Sequence, residues 1–293
     1  MTLRSLLLGV AFSIMWSSAF TSASIAVAYA PPLLILTVRF LISGLLGVGI
    51  AWSLGQRIAL SQREWIAVAV LGVCQNTIYL GMCFMAVQRV QASVVVIIAS
   101  LLPLLVTAAH WLFFKERTAI LGVLGLLAGL SGVLLIMLNK AIAGMDTVGV
   151  GLAVIGVLAL TAATLLVGSS FAKNKNVLMI VGLQMLVGAL TLLPLSMLLE
   201  TWTVNWTTNL IVAFSYTTLV PGLLATFIWF GLVGQIGPTR ASAFHFLNPF
   251  FGVCIAALML GESLTISYGI GVAIVMAGIL AVQLSRQKNV RAP

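Results

Sequence analysis

His245 and Asn248 lie three residues apart in a run that is otherwise apolar, with Ser242 one turn earlier and Pro249 directly after. Ser242, His245 and Pro249 follow the i, i+3, i+7 spacing of one helix face, with Asn248 alongside. An imidazole flanked by a hydroxyl and an amide can hold a polar ligand and can carry a proton. Similar polar groups are set into other apolar runs: Gln75, Asn76 and Tyr79 in one, Ser100 in a second, Thr161 in a third. Gln75 and Tyr79 are four apart, so they are expected to share one helix face. Trp16, Tyr216 and Trp229 add aromatic surface. Bond-making chemistry is not expected. An enzyme needs a nucleophile with its base or a metal set, and the two histidines, His110 and His245, stand far apart with no acid nearby. Cys74, Cys83 and Cys254 sit in apolar runs without metal-ligand spacing, so neither a metal, a cofactor nor a disulfide framework is expected.

The elements that must position these residues follow from composition. The chain has 293 residues, of which 62% are hydrophobic and 6% charged, against the ~25% charged of a soluble domain. Hydrocarbon must solvate most of the surface. Ten apolar segments approach the ~20 residues that cross a bilayer as a helix: Leu3–Ile25, Leu33–Ser53, Trp65–Val87, Ala92–Phe113, Ile120–Leu138, Val148–Phe171, Val177–Leu199, Leu210–Gly234, Ala241–Leu260 and Ile266–Leu284. The short alternating segments of a barrel are missing, so the expected fold class is an all-α polytopic membrane protein. Ala28-Tyr29-Ala30 has the form of a signal-peptidase site, but the apolar stretch before it is long and Pro31-Pro32 follows, so Leu3–Ile25 is read as a retained helix. With the N-terminus in the cytoplasm, eleven of the fourteen Lys and Arg residues fall inside, which makes both termini cytoplasmic. The charge of +9 is scattered over short loops, so no nucleic-acid partner is expected. Arg39 falls within the second span, near its outer end, and snorkelling to the interface is the simplest account of it.

The chain repeats itself. Pro103, Glu116, Gly125 and Gly132 recur as Pro249, Glu262, Gly271 and Gly278, each 146 residues later (249 − 103, 262 − 116, 271 − 125, 278 − 132). Residues 1–138 form a first five-helix repeat, 139–147 a linker, and 148–293 a second five-helix repeat with a short basic tail. Five spans per copy is an odd number, so the second copy must be inverted relative to the first. Inverted repeats build alternating-access carriers with a site near the bilayer midplane. Pro103, Pro221 and Pro249 are expected to kink or break their helices. The carbonyl freed by Pro249, near position 245, then needs a protein or water partner. Glu116 and Glu262 precede Thr118 and Thr265 and read as structural helix-start residues. The glycines at 122, 125, 129 and 132 suit close helix contact and need no ligand.

The doubled pattern of Pro, twelve residues, Glu and then spaced Gly resembles the drug/metabolite transporter superfamily, and within it the ten-helix exporters with paired EamA-type repeats. Trp16-Ser17-Ser18-Ala19-Phe20 with Arg39-Phe40 looks like the opening of such a repeat. The Trp16, Gln75-Asn76-Tyr79 and His245–Pro249 segments are similar to bacterial exporters of aromatic and other amino acids. The resemblance implies an inner-membrane carrier that moves amino acids out of the cytoplasm. A monomer in the lipid bilayer is the simplest expectation. The candidate cavity lining is Trp16, Gln75, Asn76, Tyr79, Ser100, Thr161, Tyr216, Trp229, Ser242, His245 and Asn248, chosen on polarity and depth. No Asp or Glu lies mid-membrane, where proton-coupled carriers keep a relay, which favours a facilitative or weakly coupled mechanism. The alternative is a proton-coupled multidrug exporter of aromatic cations, since aromatic walls also hold cations.

Overall fold

The computed structural model describes residues 2–113, 119–142, 146–167, 176–236 and 241–289. Among the described residues every regular element is helical, as expected where hydrocarbon leaves backbone groups no partner outside their own segment. Among the described residues eight helices are long and apolar enough to cross a membrane, and two shorter apolar helices cover Ile120–Ile136 and Phe244–Leu260.

The helices are α1 (Leu3–Val27), α2 (Pro32–Ser53), α3 (Gln62–Leu71), α4 (Gly81–Ala86), α5 (Ala92–Ala99), α6 (Leu102–Phe113), α7 (Ile120–Ile142), α8 (Thr147–Val167), α9 (Val177–Leu199), α10 (Thr208–Thr217), α11 (Ala225–Ile236), α12 (Asn248–Leu260) and α13 (Ile266–Asn289). A π-helical segment, Gly72–Leu80, joins α3 to α4, another, Thr218–Leu224, joins α10 to α11, and a 3₁₀ turn, Ser242–Leu247, leads into α12. The offset of 146 runs through these boundaries. The starts of α3 and α10 differ by 208 − 62, those of the two π segments by 218 − 72, of α6 and α12 by 248 − 102, and of α7 and α13 by 266 − 120. The common offset therefore reaches the irregularities, not only the spans.

Two compact units form, and each draws on both halves of the chain. The first holds Met1–Thr21, Val90–Val150 and Ile228–Pro293. Its spine is the pair α7 and α13. A Cβ built on Gly125 would lie 2.7 Å from the carbonyl oxygen of Gly278, and one on Gly132 would lie 2.8 Å from that of Gly271. The two contacts have the same residue-number sum (125 + 278 = 132 + 271), so the helices run antiparallel, backbone against backbone. Small residues permit this approach in lipid, where close packing rather than water exclusion drives association. Ile136, Tyr268, Val275 and Ile279 fill the core around the pair. Both proline-bearing helices of this unit are interrupted. α5 ends at Ala99 and α6 restarts at Leu102 with Pro103 in its first turn, while α12 restarts at Asn248 with Pro249 in its first turn. Proline is tolerated there because its missing N–H has no intrahelical role.

The second unit holds Ser22–Arg89 and Gly151–Phe227. Its spine is α2 and α9, which meet at Gly44, Gly47 and Gly182. Each helix of this pair is capped by the residue that follows its partner. Glu200, just after α9, accepts from the amides of Leu33 (2.8 Å) and Leu34 (2.9 Å), and Gln56, just after α2, accepts from the amide of Met179 (3.0 Å). Leu33 and Met179 are themselves 146 apart. A carboxylate at a helix N-terminus satisfies amides that have no partner within the helix and meets the positive end of the dipole. Pro221 lies inside the second π segment, where the wider turn accommodates a residue that cannot donate.

Candidate functional site

In the first unit, four rings from α1, α11 and the 3₁₀ turn form one cluster. Phe12 stands 5.5 Å from Trp16, 4.9 Å from Trp229 and 5.3 Å from His245, centroid to centroid. His245 is also 5.0 Å from Trp229 and 6.3 Å from Trp16. The imidazole is thus set among three aromatic rings, two of them, Phe12 and Trp16, one turn apart on α1. Asn248 fixes its orientation, with Nδ2 3.0 Å from His245 Nδ1. With the amide nitrogen donating, Nδ1 accepts and the ring hydrogen sits on Nε2. The backbone beneath is rebuilt around the proline. Asn248 N–H donates to the carbonyl of His245 in 3₁₀ fashion, which serves the carbonyl that Pro249 cannot. Two α1 hydroxyls supply further partners, Ser13 to the carbonyl of Phe244 (2.8 Å) and Ser17 to that of Asn248 (3.2 Å). An amphipathic cluster of this kind has the chemistry to take an apolar or aromatic body and to offer an imidazole N–H to a polar group. Of these partners, Phe12, Ser13 and Ser17 were not among the sequence candidates. The four-residue spacing of Phe12 and Trp16, and of Ser13 and Ser17, was the available signal.

The remaining candidates serve varied ends. Ser100 and Thr161 are buried and donate to carbonyls in their own helices, those of Val96 (2.7 Å) and Val157 (2.7 Å). Asn76, 1% exposed, donates to the carbonyl of Gln184 on α9 (2.9 Å) and packs on Gly188, so it ties helices together. Tyr79 is buried, with its backbone close to Gly156, and Gln75 is half-buried. Tyr216 is 37% exposed. The backbone of Ser242 belongs to the 3₁₀ turn, but its side chain, like the whole of Glu116, lies outside the described residues. Glu262 accepts a hydrogen bond from Ser93 of α5, while Thr265 caps α13 through the amide of Tyr268 (3.2 Å). Arg39 does not snorkel. It is 5% exposed and packed on Phe40 and Phe84.

The second unit also carries a cavity of about 810 Å³, lined by the Tyr29–Leu33 turn, Gln88 and the segment Glu200–Asn205. The carboxylate on its wall is engaged by Leu33, Leu34 and the Ser196 hydroxyl (2.8 Å). Among the described residues no three His, Cys, Asp or Glu side chains group as metal ligands would.

Apolar helices of this number and length, with polar groups paired inside them, define a multi-pass helical membrane protein. Within that class, the chain belongs to the EamA-like transporter family, which matches residues 3–138 and 147–284, and it is a membrane transporter. It is similar to the uncharacterized transporter YvbV of Bacillus subtilis, 26% identical over 280 residues that cover 95% of this chain and 91% of that one. It is also similar to the protein PecM of Dickeya dadantii, 28% identical over 235 residues and 76% of each chain. A solved crystal structure has the same fold, with a TM-score of 0.69 at 19% identity over 96% of this chain and 98% of the other.

Proposed function

We propose that this transporter exports neutral and aromatic amino acids across the bacterial inner membrane. The observation that carries the reading is the Phe12–Trp16–Trp229–His245 cluster, with Asn248 orienting the imidazole. The tilted and edge-on rings take the cargo's side chain, and the His245 N–H takes a polar group. Ten spans in two inverted copies, residues 1–138 and 148–293 about a 139–147 linker, and both termini in the cytoplasm complete the proposal, with alternating access as the working cycle and a monomer as the working form. The constant offset of the element boundaries and the antiparallel α7–α13 register support the inversion. The interruptions at Pro103 and Pro249 and the π segment at Pro221 supply hinge positions. Among the described residues no carboxylate joins the ring cluster, which supports facilitative or weakly coupled movement. The same rings can hold an aromatic cation, so a proton-coupled multidrug exporter is the second reading.

Counterflow of radiolabelled phenylalanine, threonine and methionine in liposomes separates the two. Phenylalanine exchange without a pH gradient, lost in His245→Ala, is the expected result. Absence of amino-acid flux together with proton-dependent movement of an aromatic cation overturns the amino-acid reading in favour of the multidrug one.

A further inference from the structure

Arg39 is a buried cation without a counter-charge. Its guanidinium is permanently charged, yet the residue is 5% exposed, and neither Nε nor Nη1 has a hydrogen-bond partner among the described residues. Two aromatic faces, Phe40 at 5.4 Å and Phe84 at 5.9 Å, lie against it and leave the in-plane N–H donors unanswered. The two acids of the same unit, Glu64 and Glu200, do not pair with it. Glu64 closes a capping box with Ser61, and Glu200 caps α2. One turn along α2, the hydroxyl of Ser43 is likewise buried without a partner. Opposite both lies a bare backbone position, Gly222, directly after Pro221 in the second π segment. A Cβ there would sit 3.6 Å from Arg39 Nη2 and 3.6 Å from Ser43 Oγ. π segments recur at functional sites, and Gly222 in this one has no side chain to offer the orphaned donors.

We propose that Arg39 and Ser43, with Gly222 kept bare beside them, form a binding site for a small monovalent anion. A carboxylate suits the guanidinium fork geometrically, and chloride shares the charge and size. Such an anion supplies the missing counter-charge and the acceptors for orphaned donors that are costly to bury unpaired. The site does not depend on the amino-acid reading, because it stands on the second unit alone.

Thermal unfolding of the purified full chain tests it, in sodium formate or chloride against a bulky sulfonate at the same ionic strength. Wild type is expected to gain stability saturably, and the half-saturating concentration is expected to rise by roughly 10- to 100-fold in Arg39→Gln, as for a lost charged hydrogen bond. Ser43→Ala, the mildest change, and Gly222→Val, which fills the bare position, are expected to weaken the response in the same direction. They decide the matter if Arg39→Gln does not fold. Phenylalanine and phenethylamine then identify the source. Arg39-dependent stabilisation by phenylalanine and not by the amine assigns the site to a cargo carboxylate, whereas a response to chloride alone assigns it to a free ion. No saturable response in wild type, or one equal in wild type, Ser43→Ala and Gly222→Val, overturns the site. Counterflow plays no part in this readout, so the site can fail while amino-acid export stands, and the reverse.

Discussion

Replacing Gly278 by alanine inserts one methyl group where the backbones of α7 and α13 meet. A Cβ at this position would lie 2.5 Å from the amide nitrogen of Gly129, 2.6 Å from the carbonyl oxygen of Gly125 and 2.8 Å from the Gly129 α-carbon. All three are main-chain atoms, so no side chain can rotate away and the helices must part. Overpacking costs about 1–3 kcal/mol, and contact with three backbone atoms places this case near the upper end. Alanine's better helix propensity returns about 1 kcal/mol, which leaves a net loss of about 2 kcal/mol, or roughly 30-fold in the folding equilibrium. Gly269, on the same helix nine residues earlier, has no heavy atom within 4 Å of its Cβ position, so Gly269→Ala keeps the propensity gain without the clash. Reversible unfolding in mixed micelles, followed by circular dichroism, measures both variants against wild type. Equal stability of the two would refute the reading of α7–α13 as a backbone seam.

Three further outcomes follow from the geometry. Asn248→Leu removes the amide that holds His245 Nδ1 and is expected to weaken phenylalanine half-saturation in counterflow roughly 10-fold, the loss of about one hydrogen bond, while stability measured alongside changes less. Asn76→Ala is expected to cost about 1 kcal/mol of stability through its bond to the Gln184 carbonyl, with substrate preference unchanged in competition assays. Glu200→Gln removes the charge of the α2 cap and turns one of its two acceptor oxygens into a donor, so one of the Leu33 and Leu34 amides loses its partner; the expected loss is about 2 kcal/mol, detected as faster proteolysis of the Tyr29–Leu33 turn.

Helix positions were legible because each span carries its own signal, a long apolar run bounded by loop residues. The offset of 146 was legible because Pro103 and Pro249, or Gly132 and Gly278, keep their types for reasons of backbone geometry. Side-chain roles were less so. Nothing in the sequence distinguishes Asn76, which binds a carbonyl on a neighbouring helix, from Asn248, which orients an imidazole. Ser100 and Thr161 looked available and are turned back on their own helices, an option open to any helical hydroxyl. The π segment that holds Gln75 and Tyr79 has no compositional mark, so the sequence reads there as a plain α-helix. Arg39 was placed at the lipid interface by its distance from the helix end, and only the packing of Phe40 and Phe84 shows it enclosed.

The interleaving of the two copies has a consequence for synthesis. Both spines pair a helix with its own duplicate, α2 with α9 and α7 with α13, each offset by about 146 residues. At ~5–20 residues per second the ribosome needs roughly 7–30 s to deliver the second member. Throughout that interval the glycine faces of α2 and α7 have no mate from their own chain. Each unit draws on early and late parts of the chain, so a nascent chain halted between α7 and α8 holds two open seams, on α2 and α7, whose mates α9 and α13 are still to come.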